Sequence, residues 1–431
     1  MSKTVVVPLW ESTEASVRTW LQKEMPSWAQ VEVAWSARYL GFHIGPRRES
    51  KSWQKALTEF PKRVLAWSVL HLGLQLNANI YRTFCCSLFS FLWQLEEPPE
   101  EVLNLEAWAL RRLVPGPGNW IRPADLCQLK TKFGLPIEFP SFRHMALATK
   151  MRVCEYEPQL NLQSQCRELA VVRAENLVDR KAWSSWYQNS YALVLCRARS
   201  HFEQLDITPA TVMRRMAQTY VIPRNPAELE RFKKKHFQAQ LLRQLLEREA
   251  YNHENIVRDH LERWHIASVP AGTLARRACR HLKHALDLVP LKVALVLFRT
   301  WFNGWCTARR FQVREAKCLL GCGAPCTFTE RCFDSIDHYA YCPVVANFAQ
   351  RHLQLPSCHV RSMVNFLFLS VVDDETLTLQ LLLLHSFTAQ PTASVTLSRH
   401  VHWTAWTNCC FSIFIRQLVD RGWPRKLYTS K

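Results

Sequence analysis

Four residues between positions 318 and 342 have the types and the spacing of a zinc site. Three residues separate Cys318 from Cys322, and His338 and Cys342 repeat that separation further along the chain. Both spacings are typical of structural zinc, which takes four ligands from cysteine sulfur and histidine nitrogen. We therefore predict that these residues bind one structural Zn²⁺. A closed set of four protein ligands excludes a catalytic role for the ion.

The elements that must position these ligands follow from the same segment. Gly321 allows a sharp turn between the two cysteines. His338 and Cys342 are four residues apart, so they lie on one face of a predicted helix. The carboxylate of Asp334 or Asp337 could orient the imidazole. The four ligands are thus expected from one turn and one short helix.

The exact ligand set stays open on the sequence alone. Cys326 and Cys332 lie inside the same segment, and either could replace one of the four ligands. The alternative to a metal site is a reduced, cysteine-rich loop without an ion. The joint occurrence of both spacings favours the metal site over that loop.

The chain as a whole is strongly basic, with 55 Lys and Arg against 36 Asp and Glu and a net charge of +19. This balance predicts a polyanionic partner, with nucleic acid ahead of an anionic membrane. A hydrophobic content of 48% and a charged content of 21% exclude a disordered, collagen-like or coiled-coil chain. The sequence has no long uninterrupted apolar run, so we predict no transmembrane span and no membrane partner.

The 16 cysteines do not indicate a secreted disulfide framework, because such frameworks belong to short chains. The apolar run from Val5 to Trp10 is too short for a secretory signal, and Pro8 interrupts it. We therefore expect most cysteines to be reduced. The protein is expected to be intracellular, either nuclear or cytoplasmic, and not secreted.

The positive charge is concentrated just before the cysteine pair. Between Trp264 and Lys317, ten Lys or Arg residues stand against two acidic residues, with aromatic residues among them. Basic residues on a solvated helix face usually alternate with acidic ones, so this window favours phosphate binding and base stacking. The candidate contacts in the window are Arg276, Arg277, Arg280, Trp301, Trp305, Arg309 and Arg310.

The predicted fold class is mainly α, with a small β-containing region at the N-terminus and a zinc knuckle near the C-terminus. Branched and aromatic residues at 5–7 and 39–45 predict strands or a hairpin around one helix. Helical periodicity takes over after Lys51. We expect Pro61 to interrupt or start a helix, and further helices over about 76–95 and 99–113.

Several stretches resemble the reverse transcriptase of non-LTR (LINE-type) retrotransposons. Residues 2–9 are similar to the Lys-Thr motif of this family, and residues 39–45 to the Tyr-Leu-Gly core of its primer-grip hairpin. Residues 303–309, the cysteine pair and residues 334–339 look like its C-terminal zinc-binding region. The resemblance covers residues 1–115 and about 290–345, and the rest is matched by position only.

The resemblance implies an architecture and a partner. The implied partner is RNA or an RNA–DNA hybrid, without a small-molecule substrate. The implied domains are a palm remnant with a primer-grip-like hairpin (1–50), thumb-like helices (51–115), a helical linker with the basic region (120–310), a zinc knuckle (311–345) and a helical C-terminal tail (346–431). Six further residues become candidate contacts to nucleic acid: Lys3, Tyr39, Gly41, Arg47, Arg48 and Lys51.

The catalytic centre of the family is where this chain departs from it. Two-metal nucleotidyl transfer needs paired carboxylates, which in the family precede the Lys-Thr strand, so we expect this chain to lack them. Asp373 and Asp374 follow the zinc segment instead, and we interpret them as a solvated loop. The resemblance therefore implies a truncated protein that binds nucleic acid, has no catalytic residue and does not polymerise alone. Without the catalytic metals, the lysine of the Lys-Thr motif has no reaction to assist, so we expect Lys3 to be an exposed N-terminal residue.

Two other interpretations are open from the sequence. The chain could be a zinc-stabilised helical scaffold that binds protein, with incidental positive charge. It could also be a fragment of an intact RNA-directed DNA polymerase. The scaffold and the leading hypothesis differ in the expected placement of five arginines. Nucleic-acid binding predicts that they share one exposed face, whereas a protein-binding scaffold does not require it. These arginines are Arg276, Arg277, Arg280, Arg309 and Arg310. A palm remnant would also leave the strands at Val5 and Tyr39 as unpaired sheet edges.

Overall fold

The computed structural model describes residues 4–8, 13–45, 51–70, 72–114, 116–156, 191–264, 266, 270–313, 317–323, 333–356, 361–370 and 373–389. In these ranges the predicted mainly α class is confirmed, because helices dominate and strands are few and short. The chain divides into a first unit, residues 1–114 and 138–249, and a second unit, residues 115–137 and 250–431. The predicted linker, 120–310, is therefore shared between the two units.

The N-terminal segment of the first unit forms two small sheets around one helix. β1 (Val5–Val6) pairs in parallel with β2 (Glu32–Val33), and the Thr13 side chain caps the intervening α1 (Glu14–Glu24). β3 (Ala37–Tyr39) pairs antiparallel with β4 (Phe42–Ile44). The hairpin expected at 39–45 is therefore present. β1 has a partner strand on one side, so the expectation that its partner is absent is wrong, although its other edge is unpaired in the described residues.

The helix α2 (Gln54–Ser68) continues through Pro61, so the expectation that Pro61 interrupts or starts a helix is wrong. Phe60 and Val64 are completely buried on either side of it. This packing outweighs the loss of one backbone N–H donor, because tertiary burial supplies most of the stability of a protein helix.

The helix expected over 76–95 is divided into shorter pieces. They are α3 (Leu74–Ile80), a π-helical turn (Tyr81–Cys85), a 3-10 turn (Cys86–Phe89) and α4 (Leu92–Leu95). The helix expected over 99–113 is confirmed as α5 (Glu100–Leu113). The chain then forms α6 (Pro123–Cys127) in the second unit and α7 (Phe142–Tyr156), α8 (Tyr191–Gln204), α9 (Pro209–Thr219) and α10 (Pro226–Arg248) in the first.

An aromatic cluster fills the core of the first unit. The ring of Phe142 packs against those of Phe60, Phe89, Tyr81 and Trp93, with centroids 5.1 to 6.0 Å away. All five rings are almost fully buried, and edge-on or offset packing of this kind stabilises a core beyond the area it buries. These contacts join α2, α4 and α7 to the irregular turns at 81–89.

The second unit contains a mostly apolar, largely buried helix. The elements of this unit are α11 (His253–Glu262), α12 (Ala271–Leu288), α13 (Leu291–Trp301), α14 (Ile336–Tyr341), α15 (Pro343–Leu353), α16 (Met363–Phe366) and α17 (Asp374–Ala389). In α13 every side chain from Val293 to Phe298 is buried. The Phe298 ring lies 5.0 Å from that of Phe133 and 4.2 Å from that of Phe302.

The acidic pair that follows the zinc segment begins a helix. The Asp373 carboxylate accepts a hydrogen bond from the Thr376 backbone N–H at 2.8 Å, which is an N-cap interaction for α17. Asp374 Oδ1 lies 2.7 Å from His284 Nε2. Both residues are exposed, as predicted, and Asp373 precedes the helix, but Asp374 is the first residue of α17 and not part of a loop. An acidic pair is equally suited to the positive end of a helix dipole.

Candidate metal centre and basic surface

The four predicted ligands meet in the second unit. The ligand atoms of Cys318, Cys322, His338 and Cys342 all lie within 4.8 Å of one another. Cys322 Sγ is 3.2 Å from His338 Nε2. Three of the side chains are buried and Cys322 is half-buried. The residues therefore form a Cys3His cluster that could hold a metal ion.

A tight turn positions the first two ligands. The Gly321 N–H donates to the Cys318 carbonyl at 3.0 Å, and the Leu320 N–H points to Cys318 Sγ at 3.4 Å. Gly321 has a φ of +63°, in the left-handed region where a side chain is strained. The predicted glycine-dependent turn between the cysteines is present.

A junction of two helices positions the other two ligands. The Ser335 hydroxyl caps α14 by accepting from the His338 N–H at 3.1 Å. Cys342 ends α14 and is the N-cap residue of α15. His338 and Cys342 are thus one helical turn apart, as predicted, although Cys342 lies just past the end of α14.

The hydrogen bonds inside the cluster prepare one sulfur as an anion. Hydrogen bonding from Cys318, then from His338 and from the N–H groups of Val345 and Val344, lowers the pKa of Cys342, although burial opposes this change. The pKa of Cys318 is raised by the hydrogen bond between Cys318 and Cys342 and by burial. A metal ion needs thiolate ligands, and these hydrogen bonds favour the thiolate form of Cys342.

Two nearby carboxylates brace the loop at 305–311. Asp334 Oδ2 accepts from the Ala308 N–H at 2.8 Å and Oδ1 accepts from the Tyr339 hydroxyl at 2.6 Å. Asp337 forms an ion pair with Arg309. These hydrogen bonds differ from the predicted role of Asp334 or Asp337 as a partner of the imidazole. The other two candidate ligands, Cys326 and Cys332, lie outside the described residues.

The predicted basic contacts on α12 separate into two groups. Arg276 and Arg280 are exposed, as is Lys283 one turn further on. Neither arginine forms an ion pair with an acidic residue in the part of the chain that the structure describes. Arg277 lies on another side of the helix and donates to the Leu369 carbonyl at 2.8 Å. The exposed basic face of α12 therefore consists of Arg276, Arg280 and Lys283, without Arg277.

The prediction that Trp301 and Trp305 stack on bases is wrong. Trp301 is fully buried, and its indole N–H donates to the Leu367 carbonyl at 2.8 Å. Trp305 is also buried, and its N–H donates to Thr300 Oγ1 at 3.0 Å. Residues more than 60 positions along the chain cover Trp301, and local sequence gives no sign of that contact.

The last two predicted contacts in the window bind within the second unit. Arg309 is exposed but is the ion-pair partner of Asp337. Arg310 is half-buried, and its Nη2 donates to the Gly118 carbonyl at 3.3 Å. The five arginines of the prediction therefore do not all lie on one exposed face.

The hairpin presents its tip to solvent. Tyr39 is 57% exposed and Leu40 is 75% exposed, and Gly41 has a φ of +99° that completes the turn. Lys51 Nζ donates to Ser36 Oγ at 3.0 Å. The remaining predicted contacts in this part of the chain, Lys3, Arg47 and Arg48, lie outside the described residues.

A buried carboxylate anchors this hairpin, and sequence reasoning missed it. Glu96 accepts from the Ser52 hydroxyl at 3.0 Å and from the Trp53 indole N–H at 2.8 Å. Ser52 Oγ in turn accepts from the His43 N–H in β4 at 2.9 Å. Glu96 is the first of four glutamates between 96 and 101, so the sequence does not indicate which of them is buried, and its partners are more than 40 residues away.

Comparisons of this chain with protein-family models, with curated proteins and with solved structures found no match in any of the three. Within the described ranges, no helix has both the length and the apolar character needed to cross a membrane. The features that bear on function are therefore the metal cluster, the basic surface and the resemblance in the sequence.

Proposed function

We propose that this protein binds RNA or an RNA–DNA hybrid by its phosphate backbone, and that the Cys3His cluster holds a structural Zn²⁺. Three sulfurs and one imidazole nitrogen are a ligand set that suits Zn²⁺, and four protein ligands leave no open position for catalysis. The ion would hold together two segments, 317–323 and 333–342, each of which supplies two of the four ligands.

The exposed face of α12 carries the nucleic-acid proposal. Arg276 and Arg280 are one turn apart, so they rise by about 6 Å along the helix, and Lys283 extends the row. Arginines without an acidic partner keep their full charge for phosphate oxygens. Contacts of this kind hold a duplex or a strand without reading its bases.

The origin of the protein is part of the same proposal. The resemblance to non-LTR reverse transcriptases supports a polymerase-derived chain that binds nucleic acid. In that interpretation the exposed Tyr39 at the hairpin tip corresponds to a primer-grip element. The palm remnant and the thumb are proposals that depend on this resemblance.

The test is a salt titration of binding by the full chain. Affinities for a labelled RNA–DNA hybrid and for single-stranded RNA are measured with the double variant Arg276→Glu/Arg280→Glu. A matched control, Arg214→Glu/Arg224→Glu, makes the same charge change at exposed arginines of the first unit. We expect the α12 variant to lose at least about 10-fold in affinity and about two units of salt slope. Equal losses in both variants would overturn the proposal.

A second candidate function is a protein-binding scaffold, which one observation favours. Val69, Leu70 and Leu76 are each more than half exposed at the ends of α2 and α3, and an exposed apolar patch is typical of a protein interface. Under this alternative the α12 variant keeps partner binding, whereas Val69→Glu abolishes it. Co-purification with the two variants therefore separates the two functions.

A further inference from the structure

A cleft in the second unit lies among α14, α15, α16 and α17. Its volume is about 490 Å³ with the open mouth included, which is within the range of small-molecule sites. Most of the wall is apolar, and it includes Val345, Leu355, Phe366, Phe368 and Leu384. The cleft is therefore suited to the apolar body of a ligand.

A buried polar side chain in the wall has no hydrogen-bond partner for its nitrogen. Gln380 lines the cleft and is 7% exposed, and its Nε2 meets no acceptor among the described residues. The same face of α17 is otherwise apolar here, because Leu383 and Leu384 follow three and four positions later. A buried amide without a partner is destabilising. A ligand that accepts a hydrogen bond inside the cleft would remove this cost.

Two more polar side chains line the same cleft without a partner in the described ranges. Arg361 is exposed and forms neither an ion pair nor a hydrogen bond there. Ser362 is the N-cap residue of α16, but its hydroxyl does not cap the helix, as a serine in this position commonly does. A guanidinium fork, a hydroxyl and an amide N–H are donors that together suit a carboxylate.

The charge of the wall also favours an anion over a cation. Within the described part of the chain, no acidic residue lines the cleft, whereas Arg361 does. Cys342 belongs to the wall as well, but its sulfur is part of the Cys3His cluster. A carboxylate in the cleft would therefore meet a positive charge and neutral donors.

We infer that this cleft binds a small molecule that has an apolar body and one carboxylate. Arg361, Ser362 and the Gln380 amide donate to the carboxylate, and the apolar wall covers the body of the ligand. Three donors that converge on a mostly apolar cleft are the usual composition of a small-molecule site. The inference is independent of the proposed function, because no residue of the exposed face of α12 lines the cleft.

The test is calorimetric titration of the zinc-loaded full chain with octanoate. Two matched probes separate the parts of the ligand: 1-octanol keeps the apolar body without the charge, and acetate keeps the carboxylate without the body. Octanoate is expected to bind with one site per chain, and each of the other probes at least about 10-fold more weakly. The inference is overturned if octanoate does not bind, or if 1-octanol binds as tightly as octanoate.

Two variants assign the carboxylate to its donors. Arg361→Gln is expected to lose about 10-fold in affinity for octanoate and none for 1-octanol. Gln380→Leu should also lose about 10-fold for octanoate. Its melting temperature without ligand should be no lower than that of the wild type, because leucine continues the apolar face of α17. Unchanged octanoate affinity in either variant contradicts the inference.

The control variant is Arg351→Gln, which removes the same charge from an exposed arginine of α15 that does not line the cleft. It should bind octanoate like the wild type, and a loss equal to that of Arg361→Gln would mean that only the net charge matters.

Competition with the RNA–DNA hybrid separates this inference from the proposed function. The hybrid should not displace octanoate, and Arg276→Glu/Arg280→Glu should bind octanoate like the wild type. Displacement by the hybrid would place the anion on the nucleic-acid surface and overturn the inference. If octanoate binds as expected and no hybrid binds, the cleft is supported and the proposed function fails.

Discussion

The hairpin (residues 37–44) and the knuckle (residues 317–323 and 333–342) are both short segments with little core of their own, and they are held in different ways. The hairpin is fixed by a relay of neutral and charged hydrogen bonds from His43 through Ser52 to the buried Glu96. The knuckle gathers four ligand atoms within 4.8 Å of one another. One anchor is therefore a carboxylate of the packed chain, whereas the other is a set of side chains that could hold a metal ion.

The largest expected effect is the loss of the metal from the knuckle. We expect one Zn²⁺ per chain. Cys342→Ser should abolish this stoichiometry, because it removes one of the three sulfur ligands of the Cys3His cluster. Binding of structural zinc is worth on the order of 10 kcal/mol, so its removal should unfold the knuckle. Metal analysis and amide hydrogen exchange of residues 317–342 measure both results.

The control for this prediction is Cys306→Ser, which removes an exposed cysteine outside the cluster. It should keep the metal and the exchange pattern of the wild type. Exchange in the hairpin should be unchanged in both variants. Retention of one zinc by Cys342→Ser would show that another residue completes the ligand set, as Cys326 and Cys332 allow.

A smaller effect is expected when the anchor of the hairpin is removed. Glu96→Ala leaves the buried Ser52 hydroxyl and Trp53 indole N–H without their acceptor, which should lower the free energy of unfolding by about 3 kcal/mol. The His43 amide should exchange faster, because Ser52 is no longer held in place to accept its hydrogen bond. Denaturant unfolding and hydrogen exchange of residues 37–44 measure these changes.

Two further variants test the loss of stability expected for Glu96→Ala. Glu96→Gln keeps one acceptor oxygen and should lose less stability than Glu96→Ala. Glu59→Gln removes a carboxylate from an exposed ion pair with Lys62 and should change little, because surface ion pairs contribute little. If all three variants unfold like the wild type, the hairpin is not anchored by Glu96.

The same contrast explains what sequence could predict. The metal ligands could be predicted because the members of each pair are close in sequence. A tight turn joins Cys318 and Cys322, and His338 and Cys342 are one helical turn apart. The Glu96 network was missed because Ser52 and Trp53 lie more than 40 residues from it. Long-range contacts of this kind carry no periodic signal.

The errors on the basic surface have the same physical origin. The charge window correctly indicated exposed arginines at 276 and 280, since helical periodicity separates the faces of α12. It could not show that Leu367 covers Trp301, or that Asp337 pairs with Arg309. Fold class was predictable from periodicity over many residues. Whether a single ring is buried, or a single charge is paired, depends on a partner that the sequence does not identify.

The smallest expected effect compares one glycine from the hairpin region with one from the knuckle. A Cβ added at Gly45, where φ is +117°, would lie 2.6 Å from Val7 Cγ1 and closer still to the Trp35 carbonyl oxygen. At Gly321, where φ is +63°, an added Cβ meets nothing within 4 Å. Gly321→Ala should therefore cost only the conformational strain of about 1 kcal/mol and keep its zinc. Gly45→Ala adds a backbone clash, so it should destabilise by at least about 1 kcal/mol more. Equal losses in denaturant unfolding would mean that the chain near Gly45 relaxes as freely as the turn in the knuckle, and that the hairpin is not rigidly packed.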